Sequence, residues 1–360
     1  MLHRRAALLA RTRQFFAARD VLEVDTPILG RGLVVEAQID PIACRVTPKT
    51  YLLSSPEGPM KRLLAAGSGP IYQFAHAFRD GEVDWPCLKQ LVERQIAGGA
   101  DWLVPLGTTG ESPTLSDAER DKILETVLAR SNGRCGVMAG TGSNNTSDTV
   151  ERTRRAEAAG ADAALVVVPS YNRPTPEGLF RHFATIADAV ELPIVLYNVP
   201  TRTGVDMGND VVVRLREAHA NIVAIKDAGG DVDRVTDLAS RCDIVVLSGD
   251  DSLTWPLMAP GAAGVISVLS NLTPSLMKSL VTAAAAGEVT SVLPLHRKVY
   301  DLAVGLGRFG PNPIPIKTAM AMSGLLCEEF RLPLCPVDKS ARSGIEAVLR
   351  RHELLEPEVS

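Results

Sequence analysis

The sequence predicts a (β/α)8 barrel of parallel strands with a helical C-terminal extension. Two observations carry this. From residue 80 onward, short and almost wholly apolar runs alternate with amphipathic helical runs. Continuous apolar runs bounded by turn residues suit parallel strands covered on both faces, and their alternation with helices suits βα units. Two of these runs, Pro193-Ile-Val-Leu-Tyr197 and Ile222-Val-Ala-Ile-Lys226, end on polar reactive side chains. Barrel enzymes keep their chemistry at the C-terminal ends of the strands.

In chain order, residues 1–79 lack the alternation. Residues 2–18 read as an amphipathic helix, with Leu8, Leu9, Phe15 and Phe16 on one side and arginines on the other. Strand-like runs at 21–29 and 51–53 and a helical run at 56–66 follow. The periodic part then predicts helix 85–98, strand 102–106, helix 116–130, strand 136–139, helix 146–159, strand 163–168 and helix 176–190. Strands 193–197 and 222–226 come next, joined by a loop and a helical run. Helix 232–239, strand 244–248, a short helix near 253–259 and strand 264–268 complete the series. Residues 274–351 read as helical apart from 311–317. This makes seven strands from Trp102 onward, and an eight-stranded barrel needs one more in front. Residues 70–78 alternate Ile71, Gln73, Ala75 and Ala77 with Tyr72, Phe74, His76 and Phe78, the period of a strand.

The composition, 46% hydrophobic and 22% charged, is that of a soluble globular chain. A formal charge of −4 argues against a surface that coats nucleic acid. Cys44, Cys87, Cys135, Cys242, Cys327 and Cys335 are scattered without metal-ligand spacing and read as reduced thiols of a cytoplasmic protein. Only residues 6–10 are apolar before Arg11, too short for a signal-peptide core, and no run is long enough to cross a bilayer.

The candidate chemistry sits at strand ends. With period-2 alternation, Ala224 and Lys226 share one face while Val223 and Ile225 take the other. An inward lysine there would be partly desolvated, which lowers its pKa and makes the amine a nucleophile towards carbonyls. Gly107-Thr-Thr-Gly-Glu-Ser112 follows a strand and precedes a helix, so its N–H groups and hydroxyls can cradle an anion. Glu111 reads as a structural residue holding that loop. Arg202 offers a planar fork suited to a carboxylate. Gly249-Asp-Asp251 lacks a histidine or third carboxylate spaced for a metal. Lys317, in a Pro-rich run outside the strand series, is a rival nucleophile that the spacing disfavours.

Tyr197-Asn-Val-Pro-Thr-Arg-Thr-Gly204, Ala224-Ile-Lys-Asp227 and Gly107-Thr-Thr-Gly-Glu-Ser112 together resemble the dihydrodipicolinate synthase family, over about residues 80–355. The resemblance implies a TIM barrel in which Lys226 forms a Schiff base with pyruvate. It implies that Thr109 binds the pyruvate carboxylate and that Thr108, Tyr197 and Tyr171 form a proton relay, Tyr171 typically reaching a neighbouring subunit. It implies that Arg202 receives the carboxylate of aspartate semialdehyde and that Ile266 presents backbone to the pyruvate pocket. The expected activity is a Schiff-base lyase of lysine biosynthesis with no metal or organic cofactor, in a homodimer or homotetramer. N-acetylneuraminate lyases and sugar-acid aldolases are similar too, but generally lack arginine at the position of Arg202.

The first part resembles another family. The run FFAARDVLEVDTPIL (residues 15–29) is similar to motif 1 of class II aminoacyl-tRNA synthetases, and residues 54–82 resemble the stretch reaching motif 2 in the lysyl-tRNA-synthetase-like family. There Arg79 would hold ATP phosphate with Glu82 as its acidic partner. No motif 3 follows, which implies a truncated class II synthetase-like segment over 1–69 and a barrel over 70–355, with 70–78 as its first strand. An inactive chimera or an aminoacyl-adenylate-binding module is the remaining alternative. Residues 78–82 read as the crossover between the two parts.

Overall fold

The computed structural model describes residues 81–355, together with Thr12 and the strand fragments Leu22–Glu23, Leu29–Gly30, Ile42–Cys44, Thr50–Leu52 and Ile71–Tyr72. Seven strands pair in parallel, each with the next in the chain: β1 (Trp102–Leu103), β2 (Gly136–Gly140), β3 (Ala163–Val167), β4 (Ile194–Asn198), β5 (Ile222–Asp227), β6 (Val245–Ser248) and β7 (Gly264–Val265). Between them run α1 (Trp85–Ala97), which precedes β1, then α2 (Asp117–Ser131), α3 (Thr146–Ala159), α4 (Pro176–Ala187), α5 (Pro200–Thr203), α6 (Asn209–Ala218), α7 (Val232–Arg241) and α8 (Thr254–Met258). Four helices close the chain: α9 (Pro274–Ala285), α10 (Val289–Gly307), α11 (Ile314–Met322) and α12 (Lys339–Arg351).

Strand alternation sorts the apolar residues into two layers. Val137, Ala139, Ala164, Val166, Ile194, Leu196, Ile222 and Ile225 join the buried layer between sheet and helices. Met138, Ala163, Leu165, Val195, Tyr197 and Ala224 form a separate cluster on the other face, with Val104 and Ile266 packed against it. Lys226 and Tyr197 are register partners on adjacent strands, so both reach the C-terminal end of the sheet on this second face.

A bulge puts Lys226 there. The register shifts between Ile222 and Ala224: Ile222 pairs with Ile194, whereas Ala224 already pairs with Val195. Val223 is the extra residue, and it packs on the inner cluster rather than beside Ile225. This corrects the strict alternation expected from sequence. Regular alternation through all five residues from the outward Ile222 would turn Lys226 outward as well; bulges re-aim side chains in this way.

Other expectations shift at their ends. The first and last strands are two residues each, shorter than 102–106 and 264–268, because they are the sheet's outer strands and no strand pairs with their free edges among the described residues. Residues 314–317, expected outside the helices, begin α11 instead; proline in a helix's first turn removes only a donor that has no intrahelical acceptor. Within 70–78, Ile71–Tyr72 pairs in parallel with Leu22–Glu23 rather than with the seven-stranded sheet, and residues 73–78 lie outside the described residues. The chain accordingly divides into units 1–82 and 83–360. The helices expected over 2–18 and 56–66 lie outside the described residues, apart from helical Thr12. No described helix is long and apolar enough to cross a membrane.

One buried polar group is poorly matched to its surroundings. His182 of α4 is buried, with Nδ1 2.9 Å from Thr146 Oγ1 at the start of α3 and Nε2 without a partner. Burial pushes its pKa down to about 4. The folded state therefore refuses a proton that the unfolded chain accepts below about 6.5, so stability is intact above that pH and falls as pH drops towards 4, by about 3 kcal/mol at most. His182→Leu should flatten this slope in denaturant titrations between pH 6.5 and 4. An unchanged slope would show that other groups set it.

Candidate active site

Lys226 and Tyr197 are each 8% exposed, and Lys226 Nζ lies 4.2 Å from the centre of the Tyr197 ring. The ring face and the buried carboxylate of Asp251 both favour the ammonium form, but burial outweighs them and Arg202 adds a like charge. The Lys226 pKa falls to about 8. Burial pushes the Tyr197 hydroxyl up, opposed by Arg202. The site thus holds an amine whose neutral form is accessible and a phenol that keeps its proton.

Asp251 follows β6, in the Gly249-Asp-Asp251 run. Its Oδ2 accepts from the N–H groups of Val268 (3.1 Å) and Leu269 (2.9 Å), which ties the β6 loop to the turn after Ile266. Oδ1 is buried without a partner. Ile266 itself donates its N–H to the Ser248 carbonyl (2.9 Å) and packs on the cluster containing Tyr197. Among the described residues, no three histidine, cysteine or acidic side chains are grouped to hold a metal.

Behind the pair lies a polar network that is buried except for Asp206 at its edge. Asn198 and Asp227 directly follow Tyr197 and Lys226 and are themselves register partners. Asn198 Nδ2 donates to Asp227 Oδ1 (2.9 Å) and to Asp206 Oδ1 (2.8 Å), while its Oδ1 accepts from Met207 N (3.0 Å). Arg234 of α7 reaches back with Nε 3.1 Å from Asp227 Oδ1, an ion pair without hydrogen-bond alignment, and Nη1 3.3 Å from Asp206 Oδ1. Gly229 N donates to Asp227 Oδ2 (3.2 Å). Side chains alternate along a strand, so fixing Asn198 and Asp227 on the outward face fixes Tyr197 and Lys226 on the inward one. Sequence reading missed this network; the polar residue one step beyond each reactive side chain was the available signal.

The loop after β1 carries Thr108 and Thr109 in a turn of 3-10 helix, flanked by two non-glycine residues in the left-handed region, Leu106 (φ 63) and Glu111 (φ 55). Such conformations persist where surrounding structure over-determines them. Here a Cβ on Gly140 would lie 2.3 Å from the Leu106 carbonyl oxygen, so only glycine admits that approach. The buried Arg120 guanidinium donates to the carbonyls of Ser112 (3.1 Å) and Gly140 (3.0 Å). The Glu111 carboxylate accepts from Lys317 Nζ and from Arg331 N (3.1 Å). Lys317 is therefore engaged in an ion pair with Glu111, which holds the loop as expected.

Arg202 is exposed on the short helix after β4 and donates through Nη2 to the Asn312 carbonyl (2.7 Å). Tyr171 is not brought to Lys226 in this chain: it stands 93% exposed on left-handed backbone (φ 72), beside Arg173 in the same region (φ 45).

The model of the family described as "Dihydrodipicolinate synthetase family" matches residues 71–352. The chain belongs to that family. A dihydrodipicolinate synthetase relative from Pelobacter propionicus, 4-hydroxy-tetrahydrodipicolinate synthase, is 45% identical over 80% of this chain and 99% of its own. The crystal structure of dihydrodipicolinate synthase from Aquifex aeolicus superposes with a TM-score of 0.76 at 43% identity, over 78% of this chain and 96% of that one. The chloride-inhibited dihydrodipicolinate synthase from Acinetobacter baumannii, complexed with pyruvate, gives 0.75 at 44% identity over 77% and 96%. These neighbours establish the family barrel for the seven-stranded part. Residues 1–89 match a second family model, class II tRNA synthetases (D, K and N). The two matches overlap at 71–89, a stretch that contains the crossover expected at 78–82.

Removing one partner of a buried ion pair leaves the other unsatisfied, at a cost of about 3–5 kcal/mol. Arg234→Met should lose stability on that scale in urea unfolding, with Asp227 left buried. A loss below about 1 kcal/mol would show that the network bears little on the fold.

Proposed function

We propose that this chain is a 4-hydroxy-tetrahydrodipicolinate synthase that condenses pyruvate with aspartate semialdehyde through a Schiff base on Lys226. The observation that carries the reading is the buried Lys226 amine at the end of β5, 4.2 Å from the Tyr197 ring. The neutral amine attacks the pyruvate ketone and water leaves, giving an imine. Protonated, the imine draws electrons from the neighbouring methyl group, so loss of a methyl proton gives an enamine. The enamine carbon attacks the aldehyde, and ring closure by the substrate's own amine forms the product and frees the lysine.

Tyr197 serves as proton carrier in this reading. A phenol with a raised pKa is a poor free base at neutral pH, and passing protons along hydroxyls with Thr108 and Tyr171 avoids a bare phenolate. Thr109 takes the pyruvate carboxylate on the strained turn after β1, and Ile266 lines the same pocket with backbone. Arg202, exposed at the mouth and held by Asn312, takes the aldehyde's carboxylate, which favours this reaction over cleavage of sugar acids. The exposed Tyr171 supports a homo-oligomer, dimer or tetramer, in which it completes a neighbour's site. A cytoplasmic location follows from this metabolic role. Residues 1–69 are read as a truncated synthetase-like segment and 70–355 as the aldolase part of the chain.

Borohydride reduction in the presence of pyruvate should place the label on the peptide containing Lys226. Lys226→Arg should abolish it, because a guanidinium stays charged and cannot add to a ketone. Product analysis should show turnover with aspartate semialdehyde and none with N-acetylneuraminate. A label on Lys317, or cleavage of sugar acids in preference, would overturn the assignment.

A further inference from the structure

The two loops proposed to face substrate sit after β1 and β4, with two strands between them in the sheet. Both are held by one short piece of the C-terminal extension. Asn312 offers its carbonyl to Arg202 Nη2 at 2.7 Å. Five residues later, on the first turns of α11, Lys317 pairs with the buried Glu111 carboxylate behind Thr108 and Thr109. Lys317 Nζ also donates to the Glu329 carbonyl (2.6 Å) and lies 4.8 Å from the centre of the Phe330 ring. The chain then returns to the same loop: Arg331 donates its N–H to Glu111, and its guanidinium to the Thr114 carbonyl (3.1 Å) and to Glu119 Oε2 (2.9 Å). Glu119 is also the capping-box residue of α2, and the Arg331 hydrogen bond brings its pKa down to about 2. The ends of 312–317 are thus anchored to opposite loops of the barrel mouth.

We propose that 312–317 is a strap that couples the two substrate positions, with Glu111 and Lys317 as positioning residues that touch neither substrate. The inference rests on the assignment of Thr109 to pyruvate and Arg202 to the aldehyde carboxylate. Lys317 N donates to the carbonyl of Pro313 (3.0 Å), the residue after Asn312, so moving Lys317 away from Glu111 moves Asn312 and with it the guanidinium of Arg202. The Thr108–Thr109 turn needs Glu111 in left-handed backbone, so the same change relaxes the pyruvate side. Packed contacts with discrete arrangements transmit displacement over such distances.

The test uses the full chain carrying Glu111→Gln with Lys317→Met, which removes both charges together and leaves no lone buried charge. Amide hydrogen exchange is read first, because it does not depend on which substrates are right. Exchange should speed by about tenfold both in the 107–112 loop and in the 200–204 turn, although the latter contacts neither altered residue. In the same protein, the pyruvate concentration for half-maximal borohydride labelling and the KM for aspartate semialdehyde should both rise by about tenfold, with the thermal midpoint read in parallel. Lys317→Arg keeps the ion pair and should restore slow exchange at both places. Faster exchange confined to 107–112, or faster exchange at both with only the pyruvate constant raised, would overturn the coupling. If exchange changes at both places while wild-type protein takes no pyruvate label, the strap stands and the functional assignment fails.

Discussion

The desolvation of one amine organises this molecule. Moving the Lys226 pKa from its ordinary 10.5 to about 8 means that the charged form is disfavoured by about 3 kcal/mol relative to water. Nothing else in the site acts in that direction as strongly. The Tyr197 ring and Asp251 both pull towards the ammonium, and Arg202 opposes it only weakly from an exposed position. The parallel strands covered on both faces supply the dry environment, and the bulge at Val223 turns the lysine into it. An amine buried this far needs a closely packed inner layer, which Met138, Leu165, Val195 and Ala224 provide.

A buried amine is useful only if it is also held still, and the surroundings divide that task. On the outward face, Asn198, Asp227, Arg234 and Asp206 lock the ends of β4 and β5 to each other. At the mouth, Arg120, Glu111, Lys317 and Arg331 hold the threonine turn in a backbone conformation that it would not adopt alone. In both sets the buried charges, Asp227 with Arg234 and Glu111 with Lys317, are paired and further hydrogen-bonded, the arrangement in which buried ions are tolerated. Among the described residues, four of the six non-glycine positions in left-handed backbone, Leu106, Glu111, Tyr171 and Arg173, lie in the loop of the two threonines or in the Tyr171 loop.

Much of this was legible in the sequence, for physical reasons that differ by element. Apolar strands ending on Tyr197 and Lys226 announced themselves, because strands buried on both faces need continuous apolar runs. The strand-end position of Lys226 followed from the same pattern. The bulge at Val223 left no mark, since Val, Ala and Ile are equally acceptable on either face of a doubly covered strand. The network of Asn198, Asp227 and Arg234 joins residues up to 36 positions apart, and its charges look like ordinary solvated ones until the fold brings them together. Lys317 looked like a loop lysine because three prolines precede it; two of them belong to the start of α11 or the turn before it. The exposure of Tyr171 could not be read from its neighbours Asn172 and Arg173 at all.

The most direct test of the account is the pH dependence of pyruvate trapping on Lys226, measured as the initial rate of borohydride-stabilised labelling from pH 6 to 11. Only the neutral amine adds to the ketone, so a lysine lowered by burial should label with a midpoint near pH 8. A midpoint near 10.5, the value of a solvated lysine, would contradict the claim that burial makes the nucleophile.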